Sequence, residues 1–206
     1  MKRKALVLAL LLVLLGSISA GTLAYFTADT QTHNVITSGN VNIAIVETML
    51  GDDGTEVPFE DATGVMPGQA VSKIVRVANT GVGAAWVRVK LDTSVTVDDK
   101  PIEGWEKYIK YQINDENADK NGETADDGND SFWVAGEDGW YYYNTIVPVN
   151  GETEPIIREV IFEPAMGNDY QNSRTEIDVS AQAVQAANNP IPEGGKVTDI
   201  PGWPTK

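Results

Sequence analysis

The sequence has no cysteine and a single histidine, His33, in a chain of 206 residues. The absence of cysteine excludes a disulfide framework, a thiol nucleophile and a cysteine-ligated zinc site. One histidine is too few for a zinc hydrolase, which normally uses two or three imidazole ligands. Basic residues are also scarce, since 15 Lys and Arg stand against 30 Asp and Glu, for a formal charge of −15. Nucleic-acid binding depends on Lys and Arg that neutralise phosphates, so no nucleic-acid partner is expected.

Motifs of several enzyme classes are missing as well. The chain contains no His-Glu-x-x-His pair, which would place two metal-binding imidazoles on one helix face. It also contains no Gly-x-Ser-x-Gly elbow and no phosphate-binding loop. We therefore predict no catalytic residue and no enzymatic activity.

The first 24 residues have the three-part layout of a secretory signal peptide. Residues 1–4 are cationic, residues 5–15 form an unbroken apolar run, and small or weakly polar residues follow. The run of 11 residues is shorter than the roughly 20 that a membrane-spanning helix needs. An uncleaved anchor stays open as an alternative if the later apolar residues through Phe26 extend the run.

Cleavage is predicted after Ala24, so that Tyr25 begins the mature chain, with cleavage after Ala20 as the alternative. Removal of the first 24 residues takes away three basic groups and no acidic group. The mature chain then has 182 residues with 12 basic and 30 acidic groups, a net charge of −18. Charge of one sign on this scale favours solubility and opposes self-association.

The rest of the sequence reads as strands. Residues 85–91 and 177–183 carry an apolar side chain at every odd position, the period of a half-buried strand. Further β-rich runs, separated by turn sequences rich in Gly, Pro and Asn, are residues 41–45, 71–78, 106–113, 132–135, 139–146 and 155–162. No segment keeps helical spacing, although a single turn fits near Gly104. Short strands at this spacing predict an all-β fold, an antiparallel β-sandwich of jelly-roll or immunoglobulin-like type.

Composition divides the chain into four predicted regions: a signal peptide (1–24), an N-terminal segment (25–40), a β-sandwich domain (41–187) and a Pro/Gly-rich flexible tail (188–206). The tail holds four prolines and three glycines, and we expect little regular structure there.

The region around the predicted cleavage site is the most specific part of the sequence. A Gly-Thr-x-Ala ending precedes an aromatic pair, an acidic residue and a strand entered through glycine, at Gly21, Thr22, Ala24, Tyr25, Phe26, Asp29, Gly39, Val41 and Ile43. Later segments continue the pattern with a Pro-Gly turn at 66–69, an Asn-x-Gly turn at 79–81, an aromatic strand at 139–143 and a closing Ala-x-Ala-x-Gln-Ala strand at 181–186. In this order the motifs resemble the TasA and camelysin family of exported proteins, which depend on a SipW-type signal peptidase.

The resemblance implies a jelly-roll subunit secreted by a Gram-positive bacterium to its cell surface or biofilm matrix, where relatives form fibres. It also implies a SipW-type signal peptidase as the processing enzyme. Two alternatives stay open, namely a camelysin-type surface metalloprotease and a surface adhesin that binds matrix polysaccharide. An anchoring protein is a further possible partner.

An acidic loop at residues 115–130 offers the one candidate metal site. Oxygen-bearing side chains recur there at Asp115, Asn117, Asp119, Asn121 and Asp126. Calcium takes six to eight oxygen ligands from such loops, so these residues are candidate calcium ligands. An EF-hand needs glycine at its sixth position, where Lys120 stands when counting begins at Asp115. A solvated loop without metal is therefore the alternative.

Aromatic residues provide the candidate contact surfaces. Trp86 alternates with the apolar face of its strand, so we expect it on the outer side of the sheet or at a sheet edge. If it is exposed there, it is a candidate subunit contact, since tryptophan is enriched at interface hot spots. In residues 140–143, Trp140 and Tyr142 should face one side of a strand and the two other tyrosines the opposite side. The outer aromatics are candidates either for packing or for stacking against a sugar.

Assembly is predicted to start at the mature N-terminus. The segment from Tyr25 begins with two aromatics, and no hairpin turn ties it to its own sheet. We expect it to add as a strand to a neighbouring subunit, with Tyr25 and Phe26 setting the register. Repetition of this head-to-tail contact gives an open filament. The alternative is that the segment packs along its own domain.

Overall fold

The computed structural model of the chain describes residues 26–29, 33–38, 41–113 and 132–204. Within these ranges the protein is all-β, with no α-helix. The strands are β1 (Phe26–Asp29), β2 (His33–Ser38), β3 (Ile43–Leu50), β4 (Glu56–Pro58), β5 (Ala62–Val65), β6 (Ala70–Asn79), β7 (Ala85–Val97), β8 (Lys100–Pro101), β9 (Ile109–Gln112), β10 (Trp133–Ala135), β11 (Tyr141–Tyr143), β12 (Ile157–Phe162) and β13 (Ser173–Gln185). Single-turn 3₁₀ helices lie at Trp105–Lys107, Asn168–Tyr170, Ala186–Asn188 and Val197–Asp199.

The first sheet is built on a long antiparallel pair. Strands β7 and β13 pair along 13 residues each, from Ala85 opposite Gln185 to Val97 opposite Ser173. The order across this sheet is β10-β11-β7-β13-β1-β5, with β8 on β7 and β2 on β13. Strands β1 and β2 run parallel to β13, while the other described pairs of this sheet are antiparallel.

The second sheet has the order β4-β3-β6-β12-β9, and its described pairs are antiparallel. The chain crosses repeatedly between the two sheets, since β5, β7 and β13 of the first sheet alternate along the sequence with β3, β6 and β12 of the second. The prediction of an all-β protein with antiparallel-rich sheets is thus confirmed, apart from the parallel N-terminal strands.

One shared core lies between the two sheets. Val87 and Val89 reach it from the first sheet, and Val75 and Val77 reach it from the second. The odd positions of β13 are buried in the same core as the alternation predicted, at Ile177, Val179, Ala181 and Ala183. Burial of the valine and isoleucine side chains contributes about 1.5–3 kcal/mol each, which is why a strict period of two fixes the face that each strand turns inward.

The predicted turns are present as well. In the turn before β6, Gly68 has a φ of 85°, and its neighbour Gln69 donates its amide to the Met66 carbonyl at 3.1 Å. Pro67 followed by glycine in the left-handed region is the sequence signature of a type II turn. The predicted helical turn near Gly104 is the 3₁₀ helix Trp105–Lys107.

Candidate assembly site

The N-terminal segment lies along one edge of β13. The opposite edge of β13 is paired with β7 over its whole length. On the N-terminal side, β1 pairs with Arg174, Thr175 and Glu176, and β2 pairs with residues 179–184. Strands β1 and β2 therefore cover, in two parallel pieces, an edge that would otherwise offer unpaired backbone groups.

The two pieces differ on their outer side. Strand β1 also pairs with β5, where Phe26 stands opposite Val65 and Ala28 opposite Ala62. Among the described pairs, β2 has no strand on its second edge. Its two central residues, Val35 and Ile36, are exposed. The outer edge of β1 is thus covered by β5, whereas β2, among the described strands, has an unpaired outer edge and two exposed apolar residues.

Several predicted site residues lie in or beyond this segment. Phe26 begins β1 and His33 begins β2. The predicted cleavage residues Ala24 and Tyr25 lie outside the described residues. The same holds for the candidate calcium ligands Asp115, Asn117, Asp119, Asn121 and Asp126.

Trp86 lies on the outer side of the first sheet, one of the two predicted positions, but it does not have the exposure that a subunit contact requires. Its side chain is 6 % exposed, and its indole Nε1 donates a hydrogen bond of 2.8 Å to the carbonyl oxygen of Asn189. It belongs to a second apolar cluster together with Tyr142, Val184, Val197 and Ile200. Since the C-terminal segment covers this face, Trp86 offers no surface to another subunit in this conformation.

The C-terminal segment is therefore not a flexible tail over residues 189–204. Val197 and Ile200 are buried against the outer face of the sheet. Gly202 has a φ of 82°, and a Cβ placed there would lie 2.5 Å from Oδ1 of Asn189. Regular structure is limited to short 3₁₀ turns, as the composition predicted, but apolar packing fixes the path.

Arg88 is the polar centre of this outer face. It is buried, its Nε and Nη2 donate to Oε1 of Gln182 at 3.0 and 2.6 Å, and its Nη1 donates to the Tyr142 hydroxyl at 2.9 Å. Its guanidinium carbon lies 4.4 Å from the ring centre of Trp140 and 4.7 Å from that of Trp203. The sequence pattern placed Arg88 on the solvent side but could not show that a distant segment covers it.

Tyr142 connects this centre to the hairpin of β10 and β11. Its hydroxyl donates to Oδ2 of Asp138 at 2.7 Å, and Oδ2 also lies 3.2 Å from Nη1 of Arg88. Burial raises the pKa of Tyr142, and the hydrogen bond to Asp138 acts in the same direction. The prediction that Trp140 and Tyr142 share one face while Tyr141 and Tyr143 share the other is confirmed by the two clusters they join.

A groove of about 280 Å³ lies on the first sheet and is lined by residues of β2 and by Trp140. Its apolar lining includes Val35, Ile36 and Trp140. Polar side chains supply the remaining lining, at Lys90, Asp92, Ser180 and Gln182. Nζ of Lys90 lies 2.8 Å from Oδ1 of Asp92. The groove therefore combines an aromatic surface with hydrogen-bonding and charged groups.

No group of three or more His, Asp or Glu side chains suited to a metal ion occurs within the described part of the chain. Within the same ranges, no helix has the length and apolar content required to cross a membrane.

The protein is thus a two-sheet all-β protein in which the N-terminal strands β1 and β2 pair with β13 of the same chain. No protein-family model matches the chain, and comparisons with curated proteins and with solved structures gave no match.

Proposed function

We propose that this chain is a secreted structural subunit of the cell surface or biofilm matrix of a Gram-positive bacterium. In this proposal the two sheets form a jelly-roll domain, and a SipW-type signal peptidase removes residues 1–24. The freed N-terminal segment then adds as a strand to the next subunit, so that head-to-tail repetition gives a fibre.

The observation that carries the proposal is the parallel pairing of β1 and β2 with β13. This pairing uses a terminal segment to cover an edge of the long central strand. The same segment of a second copy presents identical backbone groups, so an exchange between copies keeps every ladder hydrogen bond. The residues that follow β2 in the sequence favour such an exchange. Gly39 and Asn40, which are typical turn residues, lie between β2 and β3. The resemblance of residues 21–45 to exported fibre proteins supports the same conclusion.

An engineered disulfide tests the exchange cleanly, because the chain has no cysteine of its own. Asn34 and Ser180 are register partners in β2 and β13. Neighbouring strands lie about 4.8 Å apart, which falls within the Cα separation that a disulfide spans. We expect the Asn34→Cys, Ser180→Cys variant of the mature chain to form fibres that run as a covalent ladder on a non-reducing gel.

A matched control uses Asp92 and Asp178, which are register partners in β7 and β13. The Asp92→Cys, Asp178→Cys variant should assemble equally well but run as a monomer, because both strands stay in one subunit. Fibres in which the Asn34–Ser180 disulfide stays within single chains would refute strand exchange. Fibres that persist after deletion of residues 25–34 would refute it as well.

Polysaccharide binding is a second candidate function, favoured by the groove beside Trp140. Sugars present apolar C–H faces that stack on aromatic rings, together with hydroxyl groups that need hydrogen-bond partners. Trp140 offers a ring, while Ser180, Gln182 and the Lys90–Asp92 pair offer partners. Trp140→Ala should abolish pull-down of the mature protein by matrix polysaccharide, whereas Phe132→Ala, an exposed aromatic outside the groove, should leave it unchanged. Equal pull-down by both variants would remove this candidate.

A further inference from the structure

Lys73 lies in β6 with its side chain directed into the protein interior. It alternates with Val75 and Val77, which belong to the core between the sheets. The Lys73 side chain is only 2 % exposed. Lysine is almost never fully buried unless it is paired, so this position must serve a particular interaction.

Glu47 of β3 is its partner. The Glu47 side chain is 8 % exposed, and its Oε2 lies 3.0 Å from Nζ of Lys73. Glu47 stands opposite Val75 in the ladder, so Glu47 and Lys73 are diagonal neighbours on the interior face. An amine and a carboxyl group are thus held in contact between two adjacent strands.

Phe59 covers this pair. Nζ of Lys73 lies 4.0 Å from the centre of the Phe59 ring. The backbone amide of Phe59 donates to the Glu47 carbonyl oxygen at 3.3 Å, which holds the covering segment against β3. The aromatic ring thus packs against the amine of a pair whose two side chains are only 2 % and 8 % exposed.

Burial has a chemical consequence here. It lowers the pKa of Lys73, against the opposing effect of the negative charges of Glu47 and Asp61. Removing two charges from water is costly, and their attraction repays that cost only in part. Loss of a proton from Lys73 gives a neutral amine, which is a nucleophile, in contact with the carboxyl group of Glu47. Fixed contact between reacting groups also raises their effective concentration by orders of magnitude.

We propose that Lys73 and Glu47 join in an intramolecular isopeptide bond. Nζ of Lys73 bonds to Cδ of Glu47, and one C–O bond of the carboxyl group breaks. The oxygen leaves as water with two of the three ammonium protons, so that the amide nitrogen keeps one hydrogen. The reaction needs no oxidant, reductant or cofactor. Its product is a neutral amide in place of two buried charges.

The bond cross-links β3 to β6 and closes a loop that contains β4 and β5. A chain without cysteine has no disulfide to do this. Closing a loop of this size removes entropy from the unfolded chain, so the linked form should have a Tm roughly 5–15 °C above that of a variant that lacks the bond.

The decisive measurement is the intact mass of the purified, folded mature chain, followed by peptide mapping. We expect a mass lower than that of the linear formula by one water molecule, and a branched peptide that joins residues 47 and 73. The same map contains its own control, because Lys90 and Asp92 form an ion pair of 2.8 Å whose side chains are 32 % and 53 % exposed. This solvated pair should stay unlinked.

Variants complete the test. Lys73→Met and Glu47→Ala should each restore the full formula mass, whereas Lys90→Met should keep the loss of water. A folded wild-type chain that shows the full formula mass overturns the proposal whether or not these variants fold. A lost water that maps to any other pair of residues overturns it as well.

Discussion

Replacement of Ile200 by alanine tests whether the C-terminal segment is part of the folded structure. Ile200 is 3 % exposed, in the apolar cluster that includes Trp86 and Tyr142. Truncation of a buried isoleucine costs about 2–5 kcal/mol, through lost transfer free energy and the cavity left behind. The cluster lies outside the main core, so we expect a value near the lower end, about 2–3 kcal/mol.

The measurement is urea unfolding of the mature chain, with the far-UV circular dichroism signal of the sheets as the probe. A loss of this size corresponds to a decrease in Tm of roughly 4–12 °C for a chain of this length. Ile191→Ala is the matched control, because Ile191 belongs to the same segment but is 37 % exposed. Surface substitutions of this kind usually change stability by no more than about 0.5 kcal/mol. Equal unfolding midpoints for the two variants would show that the segment contributes nothing to the fold, and the reasoning would be refuted.

Three further predictions concern charge and chemistry. Hydrogen bonds from Arg76 lower the pKa of Glu56 from 4.5 to about 2. The contribution of this ion pair to the free energy of unfolding is therefore complete above pH 4.5 and is lost as the pH falls toward 2. Glu56 is exposed, so Glu56→Gln should cost at most about 1 kcal/mol in urea unfolding at pH 7, with a difference that shrinks below pH 4.5. Acid pH, added salt or divalent cations should each increase light scattering by the mature chain, because they reduce repulsion between subunits of net charge −18; scattering indifferent to all three would contradict this. Purified mature chain should leave casein intact with and without chelator, and chelator-sensitive hydrolysis would instead favour the metalloprotease alternative.

The sequence predicted the all-β class and the inward face of the long strands, because burial in a sheet with one face on the core follows a period of two. That rule places Val87 and Val89 inward in β7, and the aromatic residues of β11 on their two faces. It could not show that Arg88 and Trp86 of the outer face are buried, because the segment that covers Trp86 lies about a hundred residues further along the chain. Strand order depends on equally distant pairings.

The candidate assembly site was predictable only in part. The lack of a hairpin turn after Tyr25 indicated a strand that pairs with a distant segment or another subunit. It did not indicate that this segment pairs in parallel with β13. The Lys73–Glu47 contact did leave a signal in the sequence. Lys73 falls in step with Val75 and Val77, so alternation alone directs its amine inward.

Parallel alignment of β2 with β13 also bears on mechanical strength. A pull along β2 acts at right angles to the hydrogen bonds that join it to β13 over residues 179–184. Such bonds resist sliding together, whereas a strand peeled from one end loses them one after another. A filament joined by this strand would therefore carry tension in shear, and its joints would resist stretching far better than bending or peeling.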